Sequence, residues 1–174
     1  MSEIQWDVVC LSETWANDGN YTLDGGHRLF CCRDEFRWSG VAILVNARWA
    51  PCIIDFCKIS DRVAYVDLVL NGTKYRIISV YVPHAGYHVD FFTVCFDHLR
   101  KTLLDGQRKG MKCMLGGDFN TEQNLGWRGN KFEELLCEFG LEVCKNPSVL
   151  PFEDLWTFRS CMGHKRILDY GIIT

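Results

Sequence analysis

Eight short apolar runs, separated by polar and glycine-containing turns, constrain the fold of this 174-residue chain more than any other feature of its sequence. Each run is rich in Val, Ile, Leu or aromatic residues, a composition typical of β-strands. The runs are WDVVCLSE, RLFCC, GVAILVN, CIIDF, VAYVDLVL, YRIISVYVP, KCMLGGDF and RILDYGIIT. A chain with this many strands has to bury them in sheets, so we expect sheet packing to dominate the fold.

Two of the runs also indicate which way their side chains face. In Val63–Leu70, odd-numbered residues such as Tyr65 and Asp67 are predicted to face one side of a sheet. Even-numbered residues such as Val66 and Leu68 face the other side, because side chains alternate along a strand. The run YRIISVYVP is apolar almost throughout, which predicts a strand buried on both faces.

Two segments have helical periodicity. The first runs from Asp90 to about Leu104 and repeats apolar residues at helical spacing. These residues are Phe92, Cys95, Phe96, Leu99 and Leu103. The second runs from about Lys131 to Phe139, with Asn130 as predicted N-cap, Glu133 in the capping-box position and Gly140 ending the helix.

Many strands and few helices favour an α+β layered sandwich over a regular βαβ repeat. The sequence contains no internal repeat, charge block or low-complexity linker, so residues 1–174 are predicted to form a single domain. Nothing in the sequence fixes the order of the strands.

Composition excludes several classes of protein. Apolar residues make up 48% of the chain and charged residues 24%. A net charge of −3 and a pI near 5.9 argue against a nucleic-acid binder held by charge alone, although an acidic site neutralised by a divalent metal ion is compatible with them. The ten cysteines include no C-x-x-C pair, so a zinc site is not indicated. We expect reduced, mostly core-filling thiols in an intracellular protein, nuclear or cytoplasmic, with no membrane partner.

The sequence Leu115-Gly116-Gly117-Asp118-Phe119-Asn120 is the first candidate site. An apolar strand leads into two glycines, and alternation then places Asp118 and Asn120 on one side and Phe119 in the core. A carboxylate beside a carboxamide can orient a water molecule and bond a phosphoryl oxygen. The alternative is a strand end followed by an Asx turn, where the same residues are common.

Two further carboxylates lie on apolar strands. Glu13 closes the run that contains Val9 and Leu11, a position where a strand fixes a metal ligand while its tip meets solvent. Asp169 interrupts the apolar run from Arg166 to Ile173, where burial would require a partner to offset desolvation. A solvated strand end and an edge-strand Asp facing water are the alternatives.

Tyr81 lies at the end of the most apolar strand, in the sequence Ser79-Val80-Tyr81-Val82-Pro83-His84. Its phenol could bond a phosphate, but a core tyrosine with a satisfied hydroxyl is the commoner outcome at such a position. His84 follows in the loop, where a base or an ordinary loop histidine would both fit.

Taken in order, these motifs resemble the endonuclease/exonuclease/phosphatase superfamily, which includes DNase I, AP endonucleases and the endonuclease domains of non-LTR retrotransposons. The resemblance covers most of the chain, from Asp7 to Ile173. The matching segments are Ser12-Glu13-Thr14, Gly40–Val45, Val80-Tyr81-Val82-Pro83, Gly117-Asp118-Phe119-Asn120, Thr157-Phe158 and Arg166-Ile167-Leu168-Asp169-Tyr170.

The resemblance implies a four-layer α/β/β/α sandwich of the DNase I type and a hydrolytic site that uses Mg²⁺ or Mn²⁺. Glu13 would hold the metal ion. Asp118 would orient and help deprotonate the attacking water, and Asn120 would position that water and the phosphate.

The resemblance also implies three supporting roles. Tyr81 would bond a non-bridging phosphate oxygen, and Thr157 would make a contact near the phosphate. Asp169 would orient a catalytic histidine.

The match ends where the family's terminal strands would stand. The family begins with a strand ending in Asn and finishes with a Ser-Asp-His segment, and neither has a counterpart before Asp7 or up to Thr174. His164 is the nearest histidine to Asp169 but precedes it. We therefore expect a domain that is partial at both ends, impaired in activity and part of a longer polypeptide.

Within the superfamily, the motifs around Tyr81, Asp118 and Asp169 are most similar to the AP-endonuclease and retrotransposon branch. They predict DNA as the substrate, with a reverse transcriptase in the same polypeptide on the retrotransposon interpretation. A phosphoesterase acting on a lipid or inositol phosphate and an inactive structural remnant are the alternatives.

Overall fold

The computed structural model describes residues 5–33, 39–144, 157–159, 161–162 and 165–174. Most of the strands fall into two larger sheets. A four-stranded antiparallel sheet has the order β1-β4-β3-β2, and a six-stranded mixed sheet has the order β5-β6-β7-β8-β12-β9. The strands of the first sheet are β1 (Val8–Ser12), β2 (Gly19–Thr22), β3 (Arg28–Cys32) and β4 (Val41–Val45). Those of the second are β5 (Ile53–Lys58), β6 (Val63–Leu70), β7 (Thr73–Tyr81), β8 (Lys112–Asp118), β9 (Glu142–Val143) and β12 (Asp169–Ile173).

Smaller elements complete the described residues. Strands β10 (Phe158–Arg159) and β11 (Lys165–Arg166) form a two-stranded sheet. Two 3₁₀ helices cover Asp24–Gly26 and Ala47–Cys52. All eight predicted strands are confirmed, whereas β2, β9, β10 and β11 were not predicted because they are short and carry little apolar pattern.

The two larger sheets pack face to face. Phe30, Ile43 and Val45 of the four-stranded sheet meet Val66 and Leu68 of the six-stranded sheet in one buried cluster. The predicted alternation in β6 is therefore confirmed: its even-numbered residues face the other sheet, and Val63 and Tyr65 face away from it.

Two α-helices cover the outer face of the six-stranded sheet. Helix α1 (Val89–Arg108) and helix α2 (Gly126–Phe139) pack apolar side chains against β6, β7, β8 and β12 in the larger buried cluster. The five apolar residues predicted to repeat along α1 are all buried, none more than 2% exposed. Neither helix is long and apolar enough to cross a membrane, nor is any other helix within the described ranges.

The start of α2 was predicted wrongly. The helix begins at Gly126 after Leu125, which makes no side-chain capping bond, and Asn130 is an exposed residue inside the helix. Tertiary packing replaces the cap: a Cβ at Gly129 would lie 2.5 Å from the Glu122 carbonyl, so the first turn is pressed against that loop. The predicted end is confirmed, since Gly140 has left-handed backbone angles (φ 61°, ψ 40°).

The arrangement is the α+β layered sandwich that the pattern of strands and helices predicted, and it is of the DNase I type that the resemblance implied. Within the described residues both α-helices lie on one side, so the helical layer expected against the four-stranded sheet is not among them. All ten cysteines are free thiols, and Cys137, Cys144 and Cys161 are exposed rather than core-filling.

Candidate active site

Three neighbouring strands of the six-stranded sheet bring three candidate residues side by side. Strand β7 runs parallel to β8 with Tyr81 opposite Asp118, and β12 runs antiparallel to β8 with Asp169 opposite Asp118. Register partners on adjacent strands share a face of the sheet. Tyr81, Asp118 and Asp169 therefore meet at one edge despite their separation in sequence.

The facing sheet contributes Glu13 to the same place. The Tyr81 hydroxyl donates a hydrogen bond of 2.8 Å to Glu13 Oε1, which joins the two sheets at the site. Glu13 follows the last residue of β1 and has a left-handed backbone (φ 55°), a conformation that non-glycine residues rarely adopt and that is frequent at functional sites.

The turn after Glu13 depends on Gly40. The backbone N–H of Thr14 donates to the Gly40 carbonyl at 3.2 Å, and a Cβ at Gly40 would lie 2.2 Å from the Thr14 carbonyl oxygen. Any side chain at position 40 would push this turn away. The glycine that leads β4 thus allows Glu13 to reach Tyr81.

Asp118 and Asn120 form a closed turn at the end of β8. Asp118 Oδ1 accepts the backbone N–H of Asn120 at 2.7 Å, and Oδ2 accepts the Asn120 amide at 3.1 Å. Asn120 also donates to the Val82 carbonyl at 2.8 Å and has φ 47°. Both the predicted same-side placement and its alternative, the Asx turn, are therefore present, and Phe119 is fully buried as predicted.

These hydrogen bonds determine which atom of the Asn120 side chain is available to another group. Its two N–H groups are engaged by Val82 and Asp118, so its Oδ1 is the atom available to accept a hydrogen bond. Gly117, which precedes Asp118, allows β8 to approach β7 closely. Its φ is 137°, and a Cβ there would lie 2.0 Å from the Val80 carbonyl oxygen.

The electrostatics of the site favour a proton acceptor near neutral pH. Burial raises the pKa of Asp118 to about 6 against the lowering effect of its bond to the Asn120 backbone, and the charges of Asp169 and Glu13 raise it further. Burial also raises the pKa of Tyr81, and the hydrogen bond to Glu13 adds to that rise, so Tyr81 stays protonated and donates.

Thr157 and Asp169 are linked through the backbone. Thr157 Oγ1 accepts the N–H groups of Leu168 at 2.9 Å and Asp169 at 3.1 Å. Thr157 thus fixes the start of β12, which places Asp169 beside Asp118. His164 lies outside the described residues.

Arg62 is a residue of the site region that sequence reasoning missed. Its guanidinium carbon lies 4.9 Å from the centroid of the Tyr81 ring and 5.0 Å from that of Tyr87, and the residue is only 9% exposed. It also donates to the Tyr81 carbonyl at 3.5 Å and pairs with Asp61 at 3.7 Å. Arg62 stands in a turn between two strands, where an arginine is usually solvated, so the sequence carried no signal for it.

The donor set of the site fits a hard divalent cation. Among the described residues no three His, Cys, Asp or Glu side chains form a complete metal-binding group. Mg²⁺, however, is commonly held by one or two carboxylates together with water and substrate phosphates. Glu13 provides such a carboxylate. Asp118 is close enough for the Glu13 charge to add to the rise in its pKa, which burial causes in the first place.

Comparisons with solved structures show which proteins share this fold. The endonuclease domain of TRAS1, a telomere-specific non-LTR retrotransposon, superposes with a TM-score of 0.66 at 16% identity, covering 97% of this chain and 73% of that one. The AP endonuclease LMAP from Leishmania major gives 0.71 at 16% identity, with 97% and 69% coverage. Truncated TDP2 from Caenorhabditis elegans gives 0.62 at 14% identity, with 97% and 70% coverage.

The sequence matches no curated protein. Residues 1–157 match the model of the endonuclease/exonuclease/phosphatase family. That match spans most of the chain and includes Glu13, Tyr81, Asp118 and Asn120, so the chain belongs to the endonuclease/exonuclease/phosphatase family.

Proposed function

We propose that this chain is a metal-dependent phosphodiesterase that cleaves DNA, an endonuclease of the retroelement type. The observation that carries the proposal is the meeting of two side-chain pairs at one edge of the sandwich. Glu13, which follows a strand of the four-stranded sheet, pairs with Tyr81 of the six-stranded sheet, and Asp118 pairs with Asn120 beside them. One pair presents a carboxylate for a cation, and the other presents a base beside a fixed amide.

Each side chain then has a defined task. Asp118, with a pKa raised to about 6, is largely ionised at neutral pH and accepts a proton from the attacking water. Asn120 Oδ1 accepts a hydrogen bond from that water and so fixes its direction of approach. When bound, a divalent metal ion at Glu13 offsets the charge that develops on the phosphate.

Tyr81 and Thr157 act mainly by positioning. The Tyr81 proton is directed at Glu13, so in this geometry Tyr81 orients the metal-binding carboxylate. Its predicted bond to a phosphate oxygen stays a prediction. Thr157 holds the backbone of Asp169, whose charge adds to the rise in the pKa of Asp118.

Two observations favour DNA over a lipid or inositol phosphate. The motifs around Tyr81, Asp118 and Asp169 are most similar to the AP-endonuclease and retrotransposon branch, and two of the structural relatives are a retrotransposon endonuclease domain and an AP endonuclease. Arg62 and Arg128 place positive charge beside the site in a chain whose net charge is −3, as any phosphodiester substrate requires.

The experiment is nicking of supercoiled plasmid in Mg²⁺, run beside phosphate release from an inositol phospholipid. We expect nicking and no phosphate release. Glu13→Gln should lower nicking by about 10²-fold or more, since it removes the charge that holds the metal ion but keeps an acceptor for Tyr81. Asp97→Asn, an exposed carboxylate on α1, is the control and should nick like the wild type.

Phosphate release without nicking would refute the DNA assignment in favour of the lipid alternative. A folded chain inactive on both substrates would support the inactive remnant. Equal nicking by wild type and Glu13→Gln would show that the site has been placed wrongly.

A further inference from the structure

The loop between β7 and α1 and the first turn of α1 together carry a cluster of three aromatic rings, His84, Tyr87 and Phe91. The ring centroids of His84 and Tyr87 lie 4.6 Å apart, and those of Tyr87 and Phe91 lie 5.8 Å apart. Both pairs meet edge to face, at 63° and 65°, so neither outer ring stacks on Tyr87. Because the two outer rings, His84 and Phe91, are exposed, ring surface remains at both ends of the cluster for another aromatic group.

The cluster is exposed yet held in place. Phe91 is 56% exposed and His84 is exposed, with half-buried Tyr87 between them. Arg128 donates to the carbonyls of Pro83 at 2.6 Å and His84 at 3.3 Å. Bonds within the loop add to this, because the N–H of Tyr87 donates to the His84 carbonyl at 3.1 Å. An exposed aromatic cluster on a fixed loop is a preorganised surface rather than part of a core.

The loop continues directly from the candidate active site. The Val82 carbonyl accepts the amide of Asn120, and His84 follows Tyr81 by three residues, a reach of at most about 10 Å along the chain. The guanidinium of Arg62 lies between the rings of Tyr81 and Tyr87, 4.9 and 5.0 Å from their centroids, so one cation links the site to the cluster.

Aromatic faces beside fixed cations are the elements that bind unpaired nucleobases. Bases stack on aromatic side chains while positive charges attract the neighbouring phosphates. We propose that His84, Tyr87 and Phe91 form a stacking site for an unpaired base of the DNA strand next to the phosphodiester that is cleaved. This rests on the proposed function for its substrate, and it adds a preference for DNA that is unpaired or easily opened beside the cut.

The test measures binding and cleavage separately on the full chain. Fluorescence anisotropy in EDTA gives the Kd for a labelled duplex containing a short unpaired bubble and for its fully paired counterpart. We expect tighter binding to the bubble, and Phe91→Ala should weaken that binding about 10-fold while changing duplex binding little. In Mg²⁺ the same variant should raise KM on the bubble substrate and leave kcat near the wild-type value.

Val94→Ala is the matched control, because Val94 is also on α1 and 52% exposed but lies outside the ring cluster. Phe91→Tyr keeps an aromatic ring at this position, so its affinity for the bubble duplex should stay close to that of the wild type. Equal losses in Phe91→Ala and Val94→Ala, or equal wild-type affinity for bubble and duplex, would overturn the proposal.

The two proposals fail in different ways. Preferential bubble binding that depends on Phe91, without any cleavage, would keep the stacking site and refute the nuclease. Cleavage without a bubble preference would keep the nuclease and refute the stacking site.

Discussion

The hydrogen bond between Tyr81 and Glu13 gives the sharpest quantitative prediction about the site. Tyr81→Phe removes one hydroxyl and keeps a ring beside the Arg62 guanidinium. Tyr81 is only 4% exposed, and the bond of 2.8 Å joins a neutral donor to a carboxylate. Hydrogen bonds to charged groups are worth about 1.5–3 kcal/mol, which corresponds to roughly 10- to 100-fold in rate.

We therefore expect Tyr81→Phe to lower kcat/KM for plasmid nicking by about 10- to 100-fold. The loss should be larger at low Mg²⁺ than at saturating Mg²⁺, because a Glu13 that is no longer oriented binds the cation less tightly. Tyr65→Phe is the control: it is also a buried tyrosine, but its ring lies over Arg76 and away from the site. Unchanged activity and unchanged Mg²⁺ dependence in Tyr81→Phe would refute the role assigned to this bond.

Two predictions concern the sheet that carries the site, and urea unfolding measures both. Arg76 is fully buried and donates to both carboxylate oxygens of Asp67 at 2.8 Å. Arg76→Met should destabilise the protein by about 3–5 kcal/mol, because it leaves the Asp67 charge buried without its partner. Adding Asp67→Leu to Arg76→Met should recover most of that loss, because the unpaired charge is then removed. Equal destabilisation in the single and double variants would contradict this. Gly117→Ala should cost at least about 2 kcal/mol, because its Cβ would meet the Val80 carbonyl. Gly171→Ala, where the nearest contact is an ordinary 3.8 Å, should cost less, and the reverse order would show that β8 can shift away from β7.

Sequence patterns predicted the strands well because apolar alternation directly reflects burial. The odd and even residues of β6 separate onto two faces as predicted. The prediction for the start of α2 was wrong for a physical reason. Asn130 and Glu133 satisfy the local rule for a helix cap, but the helix begins about one turn earlier, where Gly129 packs against the loop that contains Glu122. Local rules cannot include such tertiary contacts.

The sequence motifs predicted which residues lie at the candidate site, but not which hydrogen bonds these residues make. The motifs identified Glu13, Tyr81, Asp118 and Asp169, and the registers of β7, β8 and β12 bring the last three together. The donation from Tyr81 to Glu13 depends on how the two sheets face each other, which no local pattern encodes. Arg62 was missed because an arginine in a turn between two strands is usually solvated, so its place in the sequence gives no sign of its burial beside Tyr81.

The pH dependence of plasmid nicking shows whether Asp118 is the proton acceptor of the reaction, because it monitors the protonation of this carboxyl. Its pKa is raised to about 6, so the carboxyl is protonated and cannot accept a proton below that pH, and it ionises above it. We expect kcat/KM in Mg²⁺ to rise about tenfold per pH unit on the acid side and to level off above a midpoint of about 6 or lower. The midpoint can fall below 6 because a cation at Glu13 offsets the carboxylate charge that contributes to the shift. Asp118→Asn should remove both the activity and this rise, whereas an Asp118→Asn variant that nicks with the wild-type rate and pH profile would show that Asp118 is not the proton acceptor.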